Sequence, residues 1–448
     1  MNVLLINPRW PSGRRGARRY QRAWPPLDLL IAAELLREGG HVPRLIDARA
    51  VAVSARETIS AAHGADLVVL QTSSLDRWQC PELDWRMMKS LVSGLPKERL
   101  VVAGVHGTVQ PELIMEETEA AILIRGEPER ALADLAAAGG QPRGLPGMTY
   151  RSEGGIRHEE DRTPGRLDDL PAPAYDLVSP DWYAYEPLGP RLALLETSRG
   201  CPFACAFCLK AMYGPAYRVK SPPRVMSEVE TVVGKWGARQ VYFIDLEFTL
   251  RPERTYELCR EIKRSGLKFD WCCQTRADTV DRPLLADMRA AGCRLIHFGV
   301  ETASPWLMEK IGKKLDLTRV ERAMTWCRSL GIETAGFFLF GLPGESPADR
   351  RAAAALARRL NPTYVSFHVA APYPGTLLNR PAGGPRAGSR DDPFPACLPG
   401  HNLKLLARSA RRAMCSFYLR PIYLRDRWRG NNLRRNLGGL KMLWEFLK

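Results

Sequence analysis

Two hydrophobic patterns take turns along this chain. Continuous apolar runs of strand length alternate with longer stretches in which apolar residues recur at helical spacing, and the alternation starts at Val3. A parallel strand is buried on both faces and needs a helix to carry the chain back, so this alternation predicts crossover units and a parallel sheet. Five runs stand out before residue 140: Val3 to Asn7, Val42 to Asp47, Leu67 to Gln71, Leu100 to Ala103 and Ala121 to Ile124. Between the first two, Leu27 to Arg37 has helical periodicity and stops at Gly39-Gly40, where glycine takes a left-handed cap without penalty. Residues 1–140 are therefore expected to form a doubly wound, flavodoxin-like α/β domain.

The pattern then breaks. Residues 141–190 carry Gly144-Leu-Pro-Gly147 and Leu167-Asp-Asp-Leu-Pro-Ala-Pro173, which predict a linker with one small hairpin. Asp168 and Asp169 read as turn and capping residues. From Leu192 the alternation resumes, with strands near Leu192 to Thr197, Gln240 to Ile244, Phe269 to Thr275, Leu295 to Gly299, Thr334 to Leu339 and Tyr364 to Val369. Six such strands predict a partial (β/α)6 barrel over residues 191–380, with its functional groups at the carboxyl ends of the strands. Cys272 and Cys273 on the third strand are expected in the core.

Composition narrows the class. The chain has 448 residues, 45% of them hydrophobic and 25% charged, as in a globular protein of two or three domains. Its 11 cysteines lack the density of a secreted disulfide scaffold, the N-terminus lacks the marks of a signal peptide, and no apolar run is long enough to span a bilayer. A reducing cytoplasm is the expected setting. The net charge of +16 is uneven: residues 401–448 hold 12 Lys/Arg against 2 acids. This expected helical region, 381–448, interleaves Tyr418, Tyr423, Trp428, Trp444 and Phe446 with Arg420, Arg425, Arg427, Arg429, Arg434 and Arg435. The mixture suits peripheral contact with an anionic membrane, and equally a basic helix packed on the barrel; nucleic acid is the less favoured partner.

A parallel sheet binds ligands at the carboxyl ends of its strands, which selects Asn7-Pro8-Arg9, Gln71-Thr72-Ser73-Ser74, Gly104-Val105-His106-Gly107-Thr108 and Arg125-Gly126-Glu127 as a rim. The dinucleotide fingerprint G-x-G-x-x-G is absent. Gly104 and Gly107 allow a bulky ligand close to the backbone, and the hydroxyls of Ser73, Ser74 and Thr108 can bond amide side chains. His106 reads best as a hydrogen-bonded loop histidine. After the first barrel strand comes Cys201-Pro-Phe-Ala-Cys205-Ala-Phe-Cys208. Three thiolates at this spacing can hold three irons of a [4Fe-4S] cluster and leave the fourth for a small molecule. The competing zinc reading lacks a nearby fourth Cys or His.

The C-x3-C-x2-C spacing resembles the signature of radical S-adenosylmethionine (SAM) enzymes. The order of elements behind it is similar too. Asp245-Leu-Glu247-Phe-Thr249 resembles a D-D-x-F-T pattern with Leu246 in place of the second acid, and Gly299-Val-Glu301-Thr resembles G-V-E-S. Asn7-Pro8, Pro25-Pro26-Leu27, the segment Gly104 to Thr108 and Arg125-Gly126-Glu127-Pro128-Glu129 resemble the cobalamin-binding domain of one large radical SAM subfamily. The resemblance implies three cofactors: a [4Fe-4S] cluster on Cys201, Cys205 and Cys208, SAM, and cobalamin. It further implies SAM contacts from Asp245 or Glu247, Arg276, Glu301, Gly341 and Gly344, and a cobalamin rim that includes Ser73, Ser74, Gly104, His106, Gly107, Thr108, Gly126 and Glu127. The D-x-H-x-x-G motif that delivers a cobalt-ligating histidine is absent, which implies cobalamin without a protein imidazole.

The function so implied is methylation of an unactivated carbon or a phosphorus in a biosynthetic intermediate, with electrons from a reductant such as flavodoxin or ferredoxin. The same architecture serves cyclisation or rearrangement without methyl transfer, and a non-enzymatic sensor is the distant alternative. Arg411 to Pro421 resembles the C-terminal region of members acting in tetrapyrrole and polycyclic-lipid biosynthesis, which hints at a hydrophobic or polycyclic substrate.

Overall fold

The computed structural model describes residues 1–9, 23–81, 85–214, 216–379 and 394–429. The aromatic and basic positions expected to matter beyond 429, Arg434, Arg435, Trp444 and Phe446, lie outside the described residues.

The first sheet contains β1 (Asn2–Asn7), β2 (Val42–Asp47), β3 (Leu67–Gln71), β4 (Leu100–Ala103), β5 (Ile122–Ile124), β6 (Met148–Ser152) and β7 (Gly155–His158), in the spatial order β2-β1-β3-β4-β5-β6-β7. The first five are parallel, and their order is that of a flavodoxin-like sheet. The hairpin anticipated in the linker is β6–β7, and it pairs antiparallel to β5, so it extends the sheet instead of standing apart. Alternate residues serve opposite cores: Val3, Leu5, Val69 and Val101 share one cluster, Leu4, Ile6, Val68 and Val102 the other.

Helix α1 (Leu27–Glu38) explains how the two halves become one body. Its Leu29, Ala32, Ala33 and Leu36 pack on the first sheet, while Leu27, Leu30 and Ile31 join the core of the second half. A helix apolar nearly all round has to be buried on both sides.

The second sheet is parallel throughout. It contains β8 (Leu192–Leu195), β9 (Gln240–Phe243), β10 (Asp270–Thr275), β11 (Cys293–Glu301), β12 (Glu333–Phe340) and β13 (Tyr364–Val369), in sequence order with β8 and β13 at opposite edges. An open six-stranded arrangement follows. Among its helices, α2 (Leu317–Ser329) precedes β12, and α3 (Pro347–Leu360) starts at a capping box formed by Ser346 and Asp349, which satisfies amides the first turn leaves free. Helix α4 (Leu403–Tyr418) closes the β13 side, where the Tyr418 hydroxyl donates to the Val365 carbonyl and accepts from its amide, both at 2.8 Å. No helix among the described residues is long and apolar enough to cross a membrane.

Candidate functional site

The cysteine loop leaves the carboxyl end of β8 through Gly200, whose φ of +85° a side chain would resist and whose added Cβ would strike the Ala216 carbonyl. Three outside anchors hold it. Lys210 Nζ donates to the carbonyls of Cys201 (3.0 Å) and Phe203 (2.6 Å), the Ala206 amide donates to Ile311 O at 2.8 Å, and the Leu378 amide donates to Ala206 O at 3.0 Å. Cys201, Cys205 and Cys208 are half-buried free thiols. Burial pushes all three thiols up, Cys208 to about 12, against the pull of Lys210 on each and of Lys313 and Arg276 on Cys205. A bound metal would hold them as thiolates. Among the described residues no three His, Cys, Asp or Glu side chains form a single-ion cage. Three thiols on one pinned loop, with cations beside them, are a donor set that fits an iron-sulfur cluster with one iron left open.

The neighbouring strand ends carry the charged groups. Arg276 follows β10; its guanidinium grips Asp278 at 2.8 and 2.7 Å, donates to Lys313 O at 3.0 Å and lies 4.0 Å from the Phe203 ring centroid. Its Nη1 is buried without a partner among the described residues, so one donor remains for an anionic ligand. Glu301 ends β11 in a left-handed conformation, φ +66°, at a register shift between Gly299 and Glu301. Such strain in a non-glycine residue persists where the surroundings impose it. Its carboxylate is paired with Lys313 Nζ at 2.6 Å.

The other expected acids are occupied within the protein. Asp245 accepts from Thr197 Oγ1 (2.7 Å) and the Thr197 amide (3.0 Å), and from the Ser198 hydroxyl. Glu247 accepts from the Arg276 amide at 2.9 Å and from the Thr275 and Thr279 hydroxyls. Burial raises the pKa of both. Gly341 and Gly344 have φ near +80°; a Cβ on Gly341 would meet Leu406 of α4, and one on Gly344 would meet Trp306.

The rim of the first sheet faces this loop. Thr108 Oγ1 lies 3.1 Å from Met212 Sδ, and the Tyr213 hydroxyl donates to Gln79 at 3.3 Å. Gly104, at φ +115°, sits where a Cβ would press into Thr72 and Ser73, and Ser73 Oγ accepts from the Val105 amide at 2.9 Å. Gly107 packs against Leu123, and the Gly126 amide donates to Thr108 Oγ1 at 3.0 Å. Ser74 Oγ accepts from Arg49 at 2.7 Å and donates to Asp76. The His106 ring is fully buried, edge-on to Phe394 with centroids 4.7 Å apart and with the Thr72 backbone as its hydrogen-bonding neighbour. Burial holds its pKa down at about 3, so the imidazole is neutral. A buried neutral imidazole and the unpartnered Gln71 Oε1 beside the Gly104 cradle fit a large, polar-edged ligand such as cobalamin.

Glu127, expected at the rim, is instead part of a strut between the sheets. Arg199, two residues before Cys201, is fully buried and pairs with Glu127 (2.9 Å), Glu129 (2.5 Å) and Glu196 (2.7 Å), while Arg218 also reaches Glu127. Burial alone would lower the Arg199 pKa; the three carboxylates outweigh it and hold the guanidinium charged. Lys210, Lys313 and the Arg199 strut escaped the sequence reading. Gly312-Lys313 follows the end of β11 by a dozen residues, and only the fold shows it beside the cysteine loop.

The comparisons agree with this geometry. Residues 195–357 match the radical SAM superfamily model. An uncharacterised methyltransferase of Pyrococcus horikoshii is 30% identical over 94% of this chain and 93% of its own. The anaerobic magnesium-protoporphyrin IX monomethyl ester cyclase of Rubrivivax gelatinosus is 27% identical over 86% of this chain and 70% of its own. Among solved structures, the radical SAM methyltransferase TsrM of Kitasatospora setae superposes with a TM-score of 0.66 at 21% identity, covering 84% of this chain and 75% of its own. The cobalamin-dependent radical SAM enzyme OxsB reaches 0.73 at 15% identity, covering 99% and 71%. The chain belongs to the radical SAM family, and its fold is shared with TsrM and OxsB.

Proposed function

We propose that this enzyme is a cobalamin-dependent methyltransferase acting on an unactivated carbon or a phosphorus of a biosynthetic intermediate. The observation that carries the reading is the juxtaposition of the anchored three-cysteine loop with the cradle of the first sheet, in contact through Met212 and Thr108. When bound, the reduced cluster would supply the electron that cleaves SAM, and cobalamin would supply a transferable methyl group. The protein's part is positional. Cys201, Cys205 and Cys208 would hold the cluster. The unpartnered Nη1 of Arg276 would take the SAM carboxylate, and the Glu301–Lys313 pair, 7% exposed on each side chain, would offer an acceptor and a donor to its ribose and amino group. His106 stays neutral, and Gly104 would let the backbone come close to a bound cobalamin. A one-electron donor such as flavodoxin or ferredoxin would feed the cluster.

The cyclase relatives support a second reading, in which the same cofactors serve ring closure without methyl transfer. SAM carrying a labelled methyl group separates the two. With hydroxocobalamin and reductant, the methyltransferase reading expects label on the bound cobalamin; 5′-deoxyadenosine released with no label on cobalamin would sink it.

A further inference from the structure

Helix α4 divides its residues between two faces. Leu406, Ala410, Ala413, Met414, Phe417 and Tyr418 are buried in the core of the second half. At about 100° per residue, Lys404, Leu405, Arg408, Arg411, Arg412 and Leu419 fall within an arc of about 120° on the opposite side, and all six are exposed.

The four cations of this stripe have no counter-ion on their own element. No acidic residue occurs from 401 to 425, and the side chains of Lys404, Arg408, Arg411 and Arg412 have neither an ion pair nor a hydrogen bond among the described residues. On the adjoining α3, by contrast, Arg350 is paired with Glu345 at 3.1 Å and Arg359 with Glu321 at 2.7 Å. Lys404, Arg408 and Arg412 follow one another at i, i+4, a spacing at which like charges destabilise a helix. An anionic partner relieves that repulsion. Two arginines of α3 widen the field: Arg358 donates to Ser416 Oγ of α4 at 3.2 Å, and exposed Arg351 lies about two turns from it on the same side of α3.

Apolar side chains stand among these charges. Leu405, Leu419, Ile422 and Leu424 are 42 to 58% exposed, which places four large hydrophobic side chains in solvent within twenty residues. Ile422 and Leu424 belong to α5 (Pro421–Arg429), which is tied to the barrel by Tyr423, whose hydroxyl donates to the Thr363 carbonyl at 2.9 Å. A nucleic-acid backbone would take the cations and leave the leucines wet. A bilayer with anionic headgroups takes both, the cations at headgroup level and the leucines at the acyl boundary.

We propose that the outer face of α4, with Ile422 and Leu424 of α5, is a docking surface for an anionic lipid bilayer. The surface is spread along the helix, since Leu405 and Leu419 are about 21 Å apart at 1.5 Å per residue. Charge and apolar area act together there, and neither alone holds a protein firmly at an interface. The inference holds whichever reaction the barrel runs, so it stands or falls apart from the methyltransferase reading.

The test is co-sedimentation of the anaerobically reconstituted full chain with vesicles of phosphatidylcholine alone and of phosphatidylcholine mixed with phosphatidylglycerol. Binding is expected to the mixed vesicles only, and it should weaken as salt is raised. Arg408→Gln, Arg411→Gln and Arg412→Gln together should lose about a hundredfold in affinity, and Leu419→Ser with Ile422→Ser about tenfold. The same change of charge made elsewhere, by Arg56→Gln, Arg157→Gln and Arg239→Gln at exposed positions, should leave binding intact. Each variant should keep its iron content and Tm, since the substituted side chains lie on the surface. Failure of the wild type to bind mixed vesicles, equal losses in the two arginine triples, or undiminished binding in both the arginine and the leucine variants of the α4 face overturns the proposal. So does tighter binding of a duplex oligonucleotide or of flavodoxin than of mixed vesicles through the same three arginines.

Discussion

The two rims that face each other satisfy their polar groups in opposite ways. At the strand ends of the second sheet the charges are largely matched from within: Glu301 with Lys313, Arg276 with Asp278, and Glu247 with the Thr275 hydroxyl and the Arg276 amide. At the rim of the first sheet Gln71 Oε1 is buried and unpartnered among the described residues, and buried His106 and Asp28 have only sparse hydrogen bonding, to the Thr72 backbone for His106 and to Gln71 and the Leu75 backbone for Asp28. Unmade hydrogen bonds in a buried site cost about 1–3 kcal/mol each, so they persist where a ligand completes them. One rim is largely matched from within; the other keeps buried polar groups only sparsely matched.

The largest way to break this contrast is to remove the strut that holds the rims together. Arg199→Met should leave Glu129 and Glu196 buried without their shared cation, and breaking a buried pair costs about 3–5 kcal/mol. A large fall in Tm measured by calorimetry is expected; a fall within experimental error would show that the network does not bear on the fold.

A middle effect lies at Asp28. Burial, with Glu129 adding to it, raises its pKa from 3.8 to about 7, and Gln71 Nε2 donates to its Oδ2. Because the folded state holds a proton that the unfolded state has released, stability should fall as pH rises from about 4 to about 7 and then level off. Asp28→Asn keeps an acceptor for Gln71 and removes the titration. Its Tm should therefore exceed that of the wild type by several degrees at pH 8 and by little at pH 4. A Tm gain equal at the two pH values would contradict the assignment.

The smallest stability effect, and the sharpest test of the sparsely matched rim, is His106→Phe. It gives up the ring's bond to the Thr72 backbone and removes the desolvation of a buried imidazole in an aromatic site beside Phe394, so the stability of the apoprotein should change little. Cobalamin affinity should nevertheless drop, on the order of tenfold for one lost hydrogen bond, read by equilibrium dialysis. A destabilised apoprotein with unchanged cobalamin affinity would make His106 a structural residue.

The same contrast explains what could be read from the chain. Strands buried on both faces announce themselves, and all five N-terminal runs coincide with β1 to β5 to within a residue at each end. The hairpin β6–β7 was visible, but its attachment to β5 was not, because antiparallel pairing at a sheet edge depends on neighbours and not on local pattern. In the site, the cysteine spacing and the strand-end position of Arg276 and Glu301 were legible. The partners were not: Lys313 reaches Glu301, Glu129 reaches Arg199, and Tyr185 reaches His297 across 12, 70 and 112 positions respectively. Pairings at such separation are created by the fold. The left-handed Glu301 was equally hidden, since nothing in Gly299-Val-Glu301 marks it as strained.

The most direct test of the central claim compares wild type with Cys205→Ala after anaerobic reconstitution with iron, sulfide and hydroxocobalamin, reading bound iron, bound cobalamin and 5′-deoxyadenosine formed on reduction with SAM. The account predicts about four irons and about one cobalamin in the wild type, and 5′-deoxyadenosine that disappears in the variant while cobalamin stays bound. SAM cleavage unaffected by Cys205→Ala, or a wild type that takes up iron but no cobalamin, would contradict it.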